Sequence, residues 1–239
     1  MKTIVFTGPT LRSEDLAPDL GFDWRGPAAQ GDVYRAALEA PAAIGVVDGY
    51  FETVPAVWHK EILWAMSRGV RVYGAASMGA LRAAELSHYG MVGVGEIFEA
   101  FASGALEDDD EVAVLHGPAE DGYRSLSDAM VNVRATLRRA AAGGVIPEAT
   151  AARLTELAKR TFYQERSIQR ALHEGADLDG IDALKRWLPT GRVDQKRIDA
   201  RALLARLDQD RNAAAAEPSF AFEHTDAWEA MRRAISAAA

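Results

Sequence analysis

The sequence contains no cysteine. That absence excludes a disulfide framework, a thiolate zinc site and cysteine nucleophile chemistry, and it agrees with a reducing compartment. Long apolar runs are missing too. Nothing approaches the ~18 residues that a membrane-spanning helix needs. The opening MKTIVFTGPT carries one lysine and an apolar run of about four residues, short of the roughly seven of a secretory signal. The expectation is a soluble, cytoplasmic protein with no membrane partner. Basic charge is scarce, with 27 Lys and Arg against 35 Asp and Glu and a net charge of −8. Lys and Arg supply phosphate neutralisation, so no nucleic-acid partner is expected. Neither a Walker motif nor GxGxxG is present, which argues against a nucleotide-binding regulator. No internal repeat is visible.

What is present suits a real core. Of 239 residues, 49% are hydrophobic, enough for one large domain or one domain with an appendage. Residues 1–130 hold 9 basic and 20 acidic side chains, and the remainder is mildly basic. Such asymmetry either steers an oppositely charged protein partner or reflects solvated faces.

Apolar runs alternate with helical ones in the first part. KTIVFT (2–7) reads as a strand stopped by Gly8-Pro9. Residues 11–32 read as an irregular connection with room for a short strand. Asp32 is placed to cap a helix over 33–40, and AAIGVVDG (42–49) is a second buried strand. PAVWHKEILWAMSRG (55–69) predicts a helix with Pro55 in its first turn and Gly69 at its end. VRVYGA (70–75) is a strand and GALRAAELSHYG (79–90) a helix. Strands alternating with helices imply βαβ units, so the fold class is α/β, a mainly parallel sheet with helices on both faces. Ligands of such sheets bind beyond the carboxyl ends of the strands, where the loops 7–10, 48–52 and 75–79 lie. Later segments, 126–144, 147–175, 194–211 and 226–239, are amphipathic and helical, with a connector at 213–218. The expected organisation is an α/β core over 1–135 and an all-helical region over 136–239.

One hydroxyl stands out. In YGAASMGALRAAEL (73–86), Ser77 sits between a strand and a helix among small residues. A-x-S-x-G approximates G-x-S-x-G, in which small neighbours let a sharp turn expose a nucleophile. Met78 would then offer its N–H at a helix N-terminus. Two other readings stay open: an N-cap and an anion site at the helix start. A serine nucleophile needs a base. None of the five histidines, His59, His88, His116, His173 and His224, falls in a late αβ loop as a Ser–Asp–His order requires. Lys60 is the only lysine between Lys2 and Lys159, one βα unit before Ser77. At an ordinary pKa only about one lysine in 10³ is neutral at pH 7, so a base role needs burial beside Trp58 or Trp64, or the proximity of Arg82. The alternative is an exposed lysine paired with Glu61. Asp48 either orients Lys60 or caps a turn. Gly8, Pro9 and Thr10 either line a pocket or only turn the chain. EDDDE (107–111) reads as a solvated loop, a partner surface or, less readily, a metal site. Arg134, Arg138 and Arg139 form a basic helix face, and His59 a packed or surface residue.

The chain resembles the TfuA-like family. The blocks that carry the resemblance are FTGPTL (6–11), PAAQGDVYRA (27–36), VVDGYFETVPAVWHKEILWAMSRGVRVYGAASMGALRAAEL (46–86), YGMVGVGEIFEAFASGALEDDDEVAVLH (89–116) and YRSLSDAMVNVR (123–134). The helical end shows no comparable block. The resemblance implies a partner of YcaO-type enzymes in peptide backbone thioamidation. It implies hydrolysis of the C-terminal thiocarboxylate of a ubiquitin-like sulfur carrier protein, with release of sulfide, and help with substrate engagement. It further implies a Ser–Lys pair, Ser77 and Lys60. Around that pair, the chemistry of the residues themselves offers Met78, Gly79 and Gly8 as backbone donors to an oxyanion, and Arg82 and Asp48 as substrate-binding candidates. No cofactor and no metal are expected. The alternative is a non-catalytic adaptor joining YcaO, substrate peptide and sulfur carrier.

Overall fold

Five short runs pair into one all-parallel sheet. In the computed structural model, which describes residues 2–16, 18–52, 54–215 and 217–237, these are β1 (Thr3–Phe6), β2 (Asp23–Arg25), β3 (Ala43–Val46), β4 (Arg71–Ala75) and β5 (Val92–Val94). Their order across the sheet is β2-β1-β3-β4-β5. Every neighbouring pair is parallel, with Ile4 opposite Ile44 and Ile44 opposite Val72. The connections run one way from β1 to β2 and the other way from β3 onward. The order therefore reverses between β1 and β3, and open parallel sheets bind ligands at the carboxyl ends there.

The alternation of side chains serves two cores, because both faces are covered. One face carries Ile4, Phe6, Ile44, Val46 and Val72. It packs against α1 (Asp32–Leu38), α2 (His59–Ser67) and α3 (Met78–Leu86). The other face carries Val5, Ala43, Val47, Tyr73 and Ala75. Its cover comes from far along the chain: Ala200, Leu203, Leu204 and Leu207 of α9 (Gln195–Gln209).

The chain forms two units, 1–105 with 199–239, and 106–198. This grouping does not follow a single cut between 135 and 136, because α9 supplies one cover of the sheet. The first unit also contains α4 (Glu96–Ala102) and α10 (Asp226–Ala237). The second contains α5 (Met130–Ala142), α6 (Glu148–Arg160), α7 (Ile168–Glu174) and α8 (Ile181–Gly191), around a core that includes Met130, Leu137, Leu154, Ile168 and Leu184.

Several expected elements shift for identifiable reasons. The helix expected from Pro55 starts at His59. Before it, the Pro55 carbonyl accepts the Gln30 N–H at 2.8 Å and Ala56 bridges to Ala29, so the chain stays extended. Asp32 is not the cap of α1; Gly31 is, at φ 90°, and the Asp32 carboxylate accepts the Ala29 N–H at 2.7 Å. The amphipathic stretch 147–175 breaks after Arg160. There the guanidinium of Arg166, 1% exposed, donates to the carbonyls of Ala158 and Thr161 and ends α6. The EDDDE run is not a solvated loop throughout. Lys159 pairs with Asp108, Asp110 and Glu111, Arg166 with Asp110, and Arg134 with Glu111 through two bonds of 2.8 and 2.9 Å. Arg134 is thus spent inside this unit, and Arg139 lies over the Trp187 ring. β5, α4 and α8 were not expected as elements. Ala17 in the connection 11–32, Ala216 in the connector 213–218, and residues 238–239 of the last predicted helix lie outside the described residues. No helix among the described residues is long and apolar enough to cross a membrane.

Candidate active site

The site is built where β4 hands over to α3. Ala75 ends the strand, and Ala76 takes φ 67°, a left-handed conformation that a residue with a Cβ adopts at a cost. The Ser77 N–H then closes on the Ala75 carbonyl at 2.8 Å, making a three-residue turn. α3 begins at Met78. The turn is this tight because α3 starts directly on strand backbone. A Cβ on Gly79 would lie 1.8 Å from the Val46 carbonyl oxygen, and one on Gly74 would lie 2.1 Å from the Gly79 oxygen. Only glycine fits either position.

Ser77 occupies the N-cap position of α3 but does not cap it. Its side chain accepts no hydrogen bond from the helix; its carbonyl receives the N–H groups of Ala80 at 2.9 Å and Leu81 at 3.3 Å instead. The residue is 2% exposed. A hydroxyl left out of the cap at a strained, buried turn is not explained by helix stability. Of the backbone donors named from the sequence, Gly79 gives its N–H to Val47 O at 3.2 Å and Gly8 gives its N–H to Asp48 at 2.8 Å. Among the described residues no acceptor takes the Met78 N–H. It is the donor next to Ser77 and sits at the positive end of the α3 dipole.

Asp48 follows β3 at the point where the strand order reverses. It is 1% exposed. Its carboxylate gathers the loop after β1, accepting from the N–H of Gly8 and of Thr10 at 2.8 and 3.0 Å and from the Thr10 hydroxyl at 2.6 Å. A carboxylate so donated to fixes the loop after β1 against the end of β3.

Lys60 is half-buried, and its Nζ lies 5.2 Å from the centroid of the Phe222 ring. No hydrogen bond joins it to Ser77 among the described residues, nor does it pair with Glu61. Glu61 is fully buried and faces backbone: Oε1 accepts from Trp58 at 2.7 Å and Gly31 at 3.0 Å, Oε2 from Tyr34 at 3.1 Å. Burial pushes the Glu61 carboxyl above the usual carboxylate range, against the pull of these three N–H groups. Arg82 is held elsewhere than Ser77. Its Nε donates to the Val57 carbonyl at 2.9 Å, and a terminal nitrogen pairs with Glu85 at 2.8 Å. His59 meets the same Glu85 at 2.6 Å. Partial burial alone would raise the Glu85 carboxyl, yet His59 and Arg82 outweigh it and hold it below the usual range. This bracket joins the start of α2 to α3, so Lys60 and Ser77 are carried by helices tied to each other.

The description "TfuA-like protein" matches residues 48–167, half of the chain. The chain belongs to the TfuA-like family. No curated protein matches it. The TfuA-like match begins at Asp48 and contains Lys60, Ser77, Met78, Gly79 and Arg82, while the blocks at 6–11 and 27–36 precede it. It also reaches beyond 134 into the helical part, taking in Lys159 and Arg166. Sequence reasoning missed Phe222 in this TfuA-like site, and it named Thr10 and Glu61 without their roles as partners of Asp48 and of the backbone. Glu61 had a signal, lying three residues after the cap residue, but that residue is Trp58 and not a Ser, Thr, Asp or Asn. Phe222 had none.

Proposed function

We propose that this TfuA-like protein serves a YcaO-type enzyme in peptide thioamidation by hydrolysing the C-terminal thiocarboxylate of a ubiquitin-like sulfur carrier, with Ser77 as nucleophile and Lys60 as base. The observation that carries the reading is the uncapped Ser77 hydroxyl on a strained turn, beside a Met78 N–H that no acceptor takes among the described residues. Ser77 Oγ attacks the carbonyl carbon of the thiocarboxylate, and Met78 N–H steadies the oxygen as it gains charge. The C–S bond breaks. The hydroxyl proton passes by way of Lys60 to the sulfur, which leaves as hydrosulfide. Water then cleaves the carrier–serine ester, returning the Ser77 proton and freeing the carrier carboxylate. The anionic substrate is also favoured by the α3 dipole.

The adaptor reading, in which the protein only joins YcaO, peptide and carrier, is favoured by one observation: Lys60 rests on Phe222 and not on Ser77. Single-turnover sulfide release from a thiocarboxylated carrier separates the two. The hydrolase reading expects release by the wild type, a fall of about 10³-fold or more in Ser77→Ala, and a fall of about 10²-fold or more in Lys60→Ala. Release at the uncatalysed rate by the wild type would leave the adaptor.

A further inference from the structure

The C-terminal segment of the first unit lies outside the matched family region, yet it packs on residues within it. Trp228, on α10, is fully buried. Its ring stands 5.4 Å from that of Tyr34, 6.0 Å from Trp64, 6.4 Å from Trp58 and 5.2 Å from Phe222. Arg232 donates to the Tyr34 hydroxyl at 3.2 Å, and the Phe220 ring meets Tyr89 at 5.6 Å. Phe222 in turn receives the Lys60 Nζ on its face at 5.2 Å. The segment therefore lies over the start of α2, and the one cation of the expected pair is engaged by it.

Two features make this cover separable. Between α9 and α10, the described residues 210–215 and 217–225 form no helix or strand, and most are exposed. The anchor also docks at a disadvantage: Trp228 Nε1 is buried and has no hydrogen-bond acceptor among the described residues, and a buried donor without a partner weakens the state that buries it. An aromatic face attracts an ammonium group, so Phe222 favours the position of the Lys60 side chain on its ring.

We propose that residues 220–237 act as a restraining strap, holding Lys60 on Phe222, and that Lys60 becomes available to the Ser77 hydroxyl when the strap lifts. The second half of this statement rests on the Ser–Lys reading above; the first half does not. Lysine acylation of the intact protein by an amine-reactive ester, quantified at each lysine by mass spectrometry, tests the first half alone. Lys185, half-exposed on α8, serves as internal reference. Phe222→Leu keeps apolar bulk but removes the aromatic face, and Trp228→Ala removes the anchor. Both are expected to speed Lys60 labelling relative to Lys185 by about two- to fivefold, the loss of one exposed cation–π contact, and to speed sulfide release in the same direction. Unchanged Lys60 labelling in both variants overturns the strap. Faster labelling with slower sulfide release also overturns it, since Phe222 would then be supporting Lys60. Faster labelling with no sulfide release from any form, wild type included, upholds the strap on Lys60 and removes the hydrolase reading instead.

Discussion

At the scale of single residues, two buried carboxylates organise the carboxyl edge of the sheet by accepting backbone N–H groups. Asp48 does so for the 7–10 loop and Glu61 for the junction of α1 and α2. Replacing Asp48 by Asn turns one acceptor oxygen into a donor facing donors. The expected cost is about 1–3 kcal/mol in urea unfolding; a change near zero would mean the loop holds itself. For Glu61 the sign follows from its raised carboxyl. A folded-state value above the unfolded one means that the native protein binds the proton more tightly, so stability from this group is present below about 4.5 and lost as pH rises through the folded value. Unfolding free energies of the wild type and Glu61→Gln, compared at rising pH, should show the wild-type advantage shrinking. An advantage that grows with pH would contradict this assignment. The Ser77 turn was legible as a sequence of small residues around one hydroxyl. The resting place of Lys60 was not, because Phe222 lies in a distant, irregular segment with no pattern of its own.

Among the elements, α3 decides the geometry of the site. It starts on strand backbone, with Gly74 and Gly79 face to face and Gly79 against Val46 O. Gly79→Ala must displace the first turn of α3, and the expected destabilisation is about 3 kcal/mol or more, with loss of sulfide release. A variant as stable as the wild type would show that the turn has slack. The strands β1, β3 and β4 are largely apolar runs of four or five residues, buried on both sides apart from Arg71 at the start of β4, and they were readable for that reason. β5 is a three-residue Val-Gly-Val, too short for any period to register. α8 carries Pro189 within it, a residue that argues against helix when only the sequence is in view. The start of α2 was misplaced because Pro55 suits a first turn, while the bridge of Ala56 to Ala29 overrides that preference.

For the whole molecule, the second face of the sheet depends on residues of α9 reached only after residue 198. Ala200, Leu203, Leu204 and Leu207 are at most 5% exposed and lie on Val5, Val47, Tyr73 and Ala75. A chain ending at 198 should therefore expose that face and fail to give soluble, folded protein, as read by circular dichroism and size-exclusion chromatography. A folded, monodisperse product would show that α9 is dispensable. The C-terminal region was legible as helical, while its packing was not, since amphipathic periodicity says that a face is buried and not what buries it. The uneven charge belongs to this scale too: part of the early acidic excess is consumed by Lys159, Arg134 and Arg166 inside the second unit. If Ser77 is the nucleophile, it forms a covalent bond to the carrier. Acid-quenching the protein with a thiocarboxylated carrier during turnover, then mapping the covalent product by mass spectrometry, detects that bond. A carrier ester on Ser77, lost in Ser77→Ala, is the expected product; sulfide release with no adduct, or with one on another residue, would rule Ser77 out as the nucleophile.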